Sequence, residues 1–105
     1  MPAPDLAALK AYLGQTSQSD DTLTGALATE KAAQARVCRV PKAVDADWDA
    51  DLSEALLRRV ARNLAMRGIP LAMFSGDAEV GGLVPPTRDP EVRRLEGPFR
   101  KLKLG

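Results

Sequence analysis

The reactive and metal-ligating side chains of this chain are few. It contains no histidine, and Cys38 is its one cysteine. This composition excludes the nucleophilic arrangements that pair serine or cysteine with histidine, and it cannot supply a structural zinc site. A single cysteine also cannot form an internal disulfide, which is typical of a protein from a reducing compartment. We therefore predict a protein that is not an enzyme and needs no cofactor.

Four aspartates alternate with other residues between positions 45 and 51. Such a run superficially suggests calcium binding, but it has neither the central glycine nor the terminal bidentate glutamate of a calcium loop. The glycines between positions 76 and 82 are not followed by the Gly-Lys-Ser/Thr of a phosphate-binding loop. We predict neither a metal site nor a phosphate site.

Three closely spaced arginines, Arg58, Arg59 and Arg62, follow the aspartate run. On a recognition helix they would contact phosphates, as in a small helical DNA-binding regulator. The net charge of +1 argues against that interpretation, because nucleic-acid-binding domains usually carry a basic excess. The regulator nevertheless stays an alternative, as does an assembly chaperone or other helical interaction module.

The two halves of the chain have opposite charge. Residues 1–57 contain five basic and nine acidic residues, whereas residues 58–105 contain ten and five. One interpretation is that these are solvated helix faces; the other is that oppositely charged surfaces meet between copies in a head-to-tail ring. In the second case we expect inter-subunit contacts to involve the following residues: Arg58, Arg59, Arg62, Asp45, Asp47 and Asp49.

Apolar residues recur with helical spacing, and helix-capping residues and stop signals separate the helical runs. The pattern predicts an all-α fold, a small bundle of about four helices in a single domain over residues 1–105. The predicted segments are a short N-terminal helix at 1–14, a helix at 19–40, a central helix at 49–68, a long loop at 69–88, a short helix at 89–97 and an extended C-terminal tail at 98–105.

Particular residues begin these helices and form their buried faces. We predict that Asp5 and Asp89 are N-caps and that Asp47 or Asp49 caps the central helix. The run Ser19-Asp20-Asp21 offers N-caps and first-turn acids for the second helix. In the second helix the predicted buried stripe consists of Leu23, Leu27, Ala33, Val37 and Val40. The residues predicted to lie largely off this stripe are Glu30, Lys31, Gln34 and Arg36.

The long loop and the C-terminal tail contain more apolar residues than solvated segments need. For the loop, the alternatives are packing on its own helices and contact with a neighbouring subunit or ring, and the candidate residues are Leu71, Met73, Phe74, Leu83 and Val84. For the tail, the alternatives are a disordered basic terminus and an anchor on a partner, with Phe99, Leu102 and Leu104 as apolar contacts and Arg100, Lys101 and Lys103 as charged ones.

No apolar stretch approaches the roughly 20 residues that span a bilayer, and no secretory leader pattern precedes residue 20. We therefore expect a protein with no membrane partner.

The second half of the chain carries a family resemblance. Residues 56–70 read LLRRVARNLAMRGIP, and after the glycine-rich loop residues 89–101 read DPEVRRLEGPFRK. These segments resemble head-to-tail adaptor, or connector, proteins of the tailed bacteriophages that infect actinobacteria. The resemblance covers roughly residues 50–105, and residues 1–49 match only in having helices of suitable length.

The resemblance implies a structural role in the virion, at the connector between head and tail of a siphovirus. Adaptors of this family form a ring, usually of twelve copies, beneath the portal protein, after assembly in the host cytoplasm. The ring extends the channel through which packaged DNA passes without sequence-specific binding, and it docks the stopper or tail-terminator protein. Carried over to this chain, the loop at 69–88 would lie near the channel or the next ring, and residues 98–105 would grip the portal.

Overall fold

The computed structural model describes residues 2–43, 46–67 and 88–101. Within these ranges the chain is all-α, with four α-helices and no β-strand, which confirms the predicted fold class. The predicted loop, except Arg88, and the end of the predicted tail lie outside the described residues. The helices are α1 (Leu6–Leu13), α2 (Asp20–Val37), α3 (Ala50–Met66) and α4 (Pro90–Glu96), and a short 3-10 helix (Gly97–Phe99) follows α4.

The N-terminal ends of these helices follow the predicted capping chemistry with one exception. The side chains of Asp5, Ser19 and Asp89 each accept a hydrogen bond from a backbone N–H in the first turn of their helix. Asp49 occupies the N-cap position of α3, but its side chain makes no capping hydrogen bond. Gly14 ends α1 with a φ of 74°, a left-handed conformation that favours glycine.

The main core lies where α2 and α3 pack together and α1 packs against both. Leu52, Leu56 and Val60 of α3 recur at intervals of four residues, and each is at most 1% exposed. Trp48, which precedes α3, is also buried, and the Lys31 ammonium lies 6.0 Å from the centre of its ring. The remaining members of this core are Leu9, Leu23, Ala26, Cys38 and Leu64.

Two polar residues of α2 occupy positions that the sequence assigned to the solvent side. Glu30 is 6% exposed and Gln34 is fully buried, so the prediction that they lie largely off the buried face of α2 is wrong. Val92 and Leu95 of α4 are buried too, but they lie outside the main core cluster. Helix α4 therefore packs on α3 through a separate and smaller apolar patch.

No helix in the described ranges is both long enough and apolar enough to cross a membrane.

Candidate functional site where the C-terminal segment docks

An ion pair between α3 and the end of α4 is buried inside the molecule. Arg59 is 1% exposed and Glu96 is fully buried. The Arg59 Nη2 atom lies 2.8 Å from Oε1 of Glu96, and Nε donates to Oε2, so the pair is bidentate. Two parallel charge-assisted hydrogen bonds of this kind are among the strongest that proteins form.

Further polar side chains surround this pair. Gln34 Nε2 donates to Glu96 Oε2 at 3.1 Å and to the Leu52 carbonyl at 3.2 Å. Arg100 Nη2 lies 3.3 Å from Glu96 Oε1. Glu30 Oε1 is 3.8 Å from Arg59 Nη1. We call this set, formed by Glu30, Gln34, Arg59, Glu96 and Arg100, the Arg59 cluster.

The Arg59 cluster holds its central carboxylate as an anion. Burial would raise the pKa of Glu96, but the hydrogen bond and charge of Arg59 and the hydrogen bond from Gln34 outweigh burial and lower the pKa below its usual 4.5. Burial likewise opposes the charged form of Arg59, yet Glu96 and then Glu30 raise the pKa of the guanidinium. Both groups therefore keep their charges at neutral pH, and neither is placed to exchange protons there.

A second carboxylate fixes the beginning of α4. Asp89 is fully buried, and its Oδ2 accepts from Arg58 Nε at 2.9 Å and from Arg62 Nε at 2.7 Å. Its Oδ1 accepts from the Glu91 backbone N–H at 2.9 Å, which caps α4. Burial would raise the pKa of Asp89, but the hydrogen bonds from Arg62 and Arg58 lower it below the usual 3.8. Carboxylates at both ends of α4 thus fasten it to α3.

The residues after α4 run antiparallel to the end of α2. Cys38 and Arg100 form an isolated antiparallel bridge. The Arg39 N–H donates to the Phe99 carbonyl at 2.7 Å, and the Lys101 N–H donates to the Val37 carbonyl at 2.9 Å. Burial, and then the charge of Glu96, raise the pKa of the Cys38 thiol to about 11, so the thiol is protonated at neutral pH and is a poor nucleophile.

The three candidate arginines of α3 all have carboxylate partners in their own chain. Arg59 contacts Glu96, while Arg58 and Arg62 contact Asp89. For Arg59 the burial leaves no surface on which a neighbouring copy can reach the guanidinium. Arg58 and Arg62 remain partly exposed, so their predicted contact with a neighbour stays a prediction. Of the three predicted acidic partners, Asp47 and Asp49 are exposed and Asp45 lies outside the described residues.

The predicted portal-binding residues divide into two groups. Phe99 packs against the main core, and Lys101 Nζ donates to the Ala35 carbonyl at 3.0 Å. With Arg100 in the Arg59 cluster, all three contact their own chain. The other predicted portal contacts, Leu102, Lys103 and Leu104, lie outside the described residues. So do all the predicted loop contacts, which are Leu71, Met73, Phe74, Leu83 and Val84.

Sequence reasoning missed the acidic and amide members of the Arg59 cluster. Glu30 and Gln34 lie four residues apart on α2 and so share one face of that helix. Arg59 sits between the core residues Leu56 and Val60, where a strict apolar face has no position for a charge. The sequence signal for a buried ion pair was therefore a charged residue on the apolar face of each helix, namely Glu30 on α2 and Arg59 on α3.

The depressed pKa values predict acid sensitivity. A carboxylate whose pKa is lower in the folded state stabilises the fold above its unfolded pKa, and that contribution is lost as the pH falls through the folded value. We expect the free energy of unfolding to be constant from pH 7 to about pH 5 and to fall steadily below the ordinary values of 4.5 for Glu96 and 3.8 for Asp89. Urea denaturation at half-unit intervals from pH 7 to pH 3 measures this fall. A profile that stays level down to pH 3 would contradict it.

Comparison of the chain with protein-family models, with curated proteins and with solved structures gave no match.

Proposed function

We propose that the chain is a structural head-to-tail adaptor of a tailed bacteriophage. In this proposal a ring of copies, twelve if it follows the family it resembles, lies beneath the portal protein. The ring extends the DNA channel and docks the stopper or tail-terminator protein, so the protein is a virion component and not an enzyme.

The proposal rests on how α4 and residues 97–101 are held against α3 and the end of α2. Buried carboxylates hold both ends of α4, and two backbone hydrogen bonds join residues 99 and 101 to the end of α2. Residues up to Lys101 are therefore held in place. The sequence that follows, Leu-Lys-Leu-Gly, supplies apolar and basic side chains that suit a partner surface with apolar pockets and acids.

The same geometry disfavours the DNA-binding regulator. A recognition helix needs arginines that reach phosphates, but Arg59 is enclosed and both Arg58 and Arg62 donate to Asp89. Arg58 and Arg62 also share the carboxylate of Asp89, which offsets part of their positive charge and so weakens their attraction for phosphates. We therefore assign the arginines to holding α4 in place.

A truncation tests the portal contact without disturbing the fold. Removing residues 102–105 retains the contacts of α4 and residues 97–101 described above, whereas a cut after Glu96 would remove the residues that pair with α2. We expect the truncated chain to keep its helical circular dichroism and melting temperature, and to lose at least tenfold in co-sedimentation with the portal protein encoded in the same genome.

The matched control for this truncation is a chain that lacks only Gly105, which should bind the portal normally. Full-length chain that fails to bind portal, or a truncated chain that binds as well as the full-length one, would contradict the proposal. Electron micrographs of the complex give a second readout, since an adaptor should appear as a ring below the portal.

A further inference from the structure

Six residues of α3 form a continuous strip that the other helices leave exposed or partly exposed. Each lies three or four residues from another member, so all six share one side of the helix. Asp51, Glu54 and Ala65 are exposed, and the other three are partly exposed. We call this strip the α3 stripe; its members are Asp51, Glu54, Arg58, Ala61, Arg62 and Ala65.

The α3 stripe has opposite charges at its two ends. Asp51 and Glu54 are acidic, and no ion pair within 4 Å among the described residues involves either of them. Arg58 and Arg62 are basic, with side chains that are 32% and 28% exposed. Arg58 contacts Asp89 through Nε, and its guanidinium carries further N–H donors on its two terminal nitrogens. Such a pair of nitrogens matches a carboxylate.

A groove lies at the basic end of the stripe. It has a volume of about 280 Å³ and is lined by Tyr12 together with the arginines and alanines of the stripe. Tyr12 is 37% exposed and is the large hydrophobic residue most exposed in the described part of the chain. Because an engineered cavity of about 150 Å³ holds a benzene molecule, this groove has room for a side chain of a partner.

The order of charges along the α3 stripe is complementary to the same stripe on a second, antiparallel copy. Asp51 and Arg62 are eleven residues apart, or about 16 Å along the helix, and Glu54 and Arg58 are four apart, or about 6 Å. The midpoints of both pairs fall close to residue 56. When two copies of α3 lie antiparallel about that point, Asp51 of each copy faces Arg62 of the other, and Glu54 faces Arg58.

We propose that the α3 stripe is a contact surface for a second copy of this chain, with the two α3 helices antiparallel about a two-fold axis near residue 56. The Glu91–Arg94 ion pair of α4 would lie at the edge of this contact and is neutral overall. Four ion pairs would form in total, two of each kind. The contact is electrostatic, and salt therefore weakens it.

This contact is separate from the proposed ring. A two-fold contact closes at two copies, whereas neighbours in a cyclic ring meet through two different surfaces. Sedimentation velocity distinguishes the two assemblies by mass, because one is a dimer and the other has many copies. Failure of the dimer therefore leaves the portal experiment unaffected, and failure of portal binding leaves the dimer unaffected.

Reversal of one exposed charge tests the contact. Glu54→Arg places an arginine of each copy opposite Arg58 of the other copy, and so replaces two attractions with two repulsions. At an ionic strength of about 20 mM we expect the wild-type chain to form a dimer, and the variant to dimerise at least tenfold more weakly. Raising the salt to about 0.5 M should dissociate the wild-type dimer.

The matched control is Asp21→Arg, which makes the same change of charge at an exposed position on α2. It should dimerise like the wild-type chain, and circular dichroism should show that both variants fold. A wild-type chain that stays monomeric at millimolar concentration and low salt would overturn the proposal. Equal weakening by the two substitutions would also overturn it, since net charge alone would then explain the effect.

Discussion

Glu96→Ala is expected to lower the free energy of unfolding by about 3–5 kcal/mol, because it leaves the Arg59 guanidinium buried without its carboxylate. Arg59 is 1% exposed and cannot turn to solvent without opening the contact between α3 and α4. Gln34 and Arg100 would lose their Glu96 acceptor as well. Urea denaturation at pH 7, followed by circular dichroism, measures the loss.

Two comparisons separate the charge effect from truncation of a side chain. Glu91→Ala removes a glutamate from the same helix, but Glu91 is partly exposed and pairs with Arg94 at the surface, so stability should change little. In the second comparison, Arg59→Met and Glu96→Met are combined. The combined variant should be more stable than Glu96→Ala, because it removes the fully buried guanidinium, while Glu30 keeps its hydrogen bond from Asn63. A Glu96→Ala chain as stable as the Glu91→Ala chain would show that the buried pair contributes nothing.

The helices of this chain were predictable because their signals are local. Asp5, Ser19 and Asp89 cap helices as their neighbouring residues indicate, and the apolar spacing from Leu52 to Leu64 matches α3 as observed. Each of these signals depends on residues within a few positions of one another. Local capping and periodicity therefore sufficed for the fold class and for the approximate limits of each helix.

The Arg59 cluster was not predictable in the same way, because its members are far apart in the chain. Arg59 and Glu96 are separated by 37 positions, and Gln34 and Glu96 by 62. The spacing of α2 places Glu30 and Gln34 on the same face as Leu27 and Val37, but it does not identify their partners. Which groups they meet depends on how α2, α3 and α4 pack, and the helical period of each helix alone does not contain this information.

The charge asymmetry of the chain illustrates the same limit. The sequence predicted that the arginines of α3 would meet the aspartate run of a neighbouring copy. Within one chain, the partners of Arg58, Arg59 and Arg62 are Asp89 and Glu96, which lie at the two ends of α4. A charge count finds the complementary halves of a chain, but only packing selects which individual residues pair.

Asp89→Ala should be the second most damaging substitution among the polar residues of the site, with an expected loss of about 3 kcal/mol in the free energy of unfolding. The change removes the N-cap of α4 and the shared acceptor of Arg58 and Arg62. The loss should stay below that for Glu96→Ala, because both arginine side chains are about one third exposed and can be hydrated after the change.

Asp89→Asn divides these two roles of Asp89. Its amide oxygen can still cap α4 by accepting from the Glu91 backbone N–H, but it carries no charge for Arg58 and Arg62. We expect about half the loss seen for Asp89→Ala, and less fall in stability between pH 5 and pH 3 than in the wild-type chain. If Asp89→Asn is instead as stable as wild type, the cap alone fastens this end of α4. If it is as damaging as Asp89→Ala, the charge of Asp89 is what joins α4 to α3.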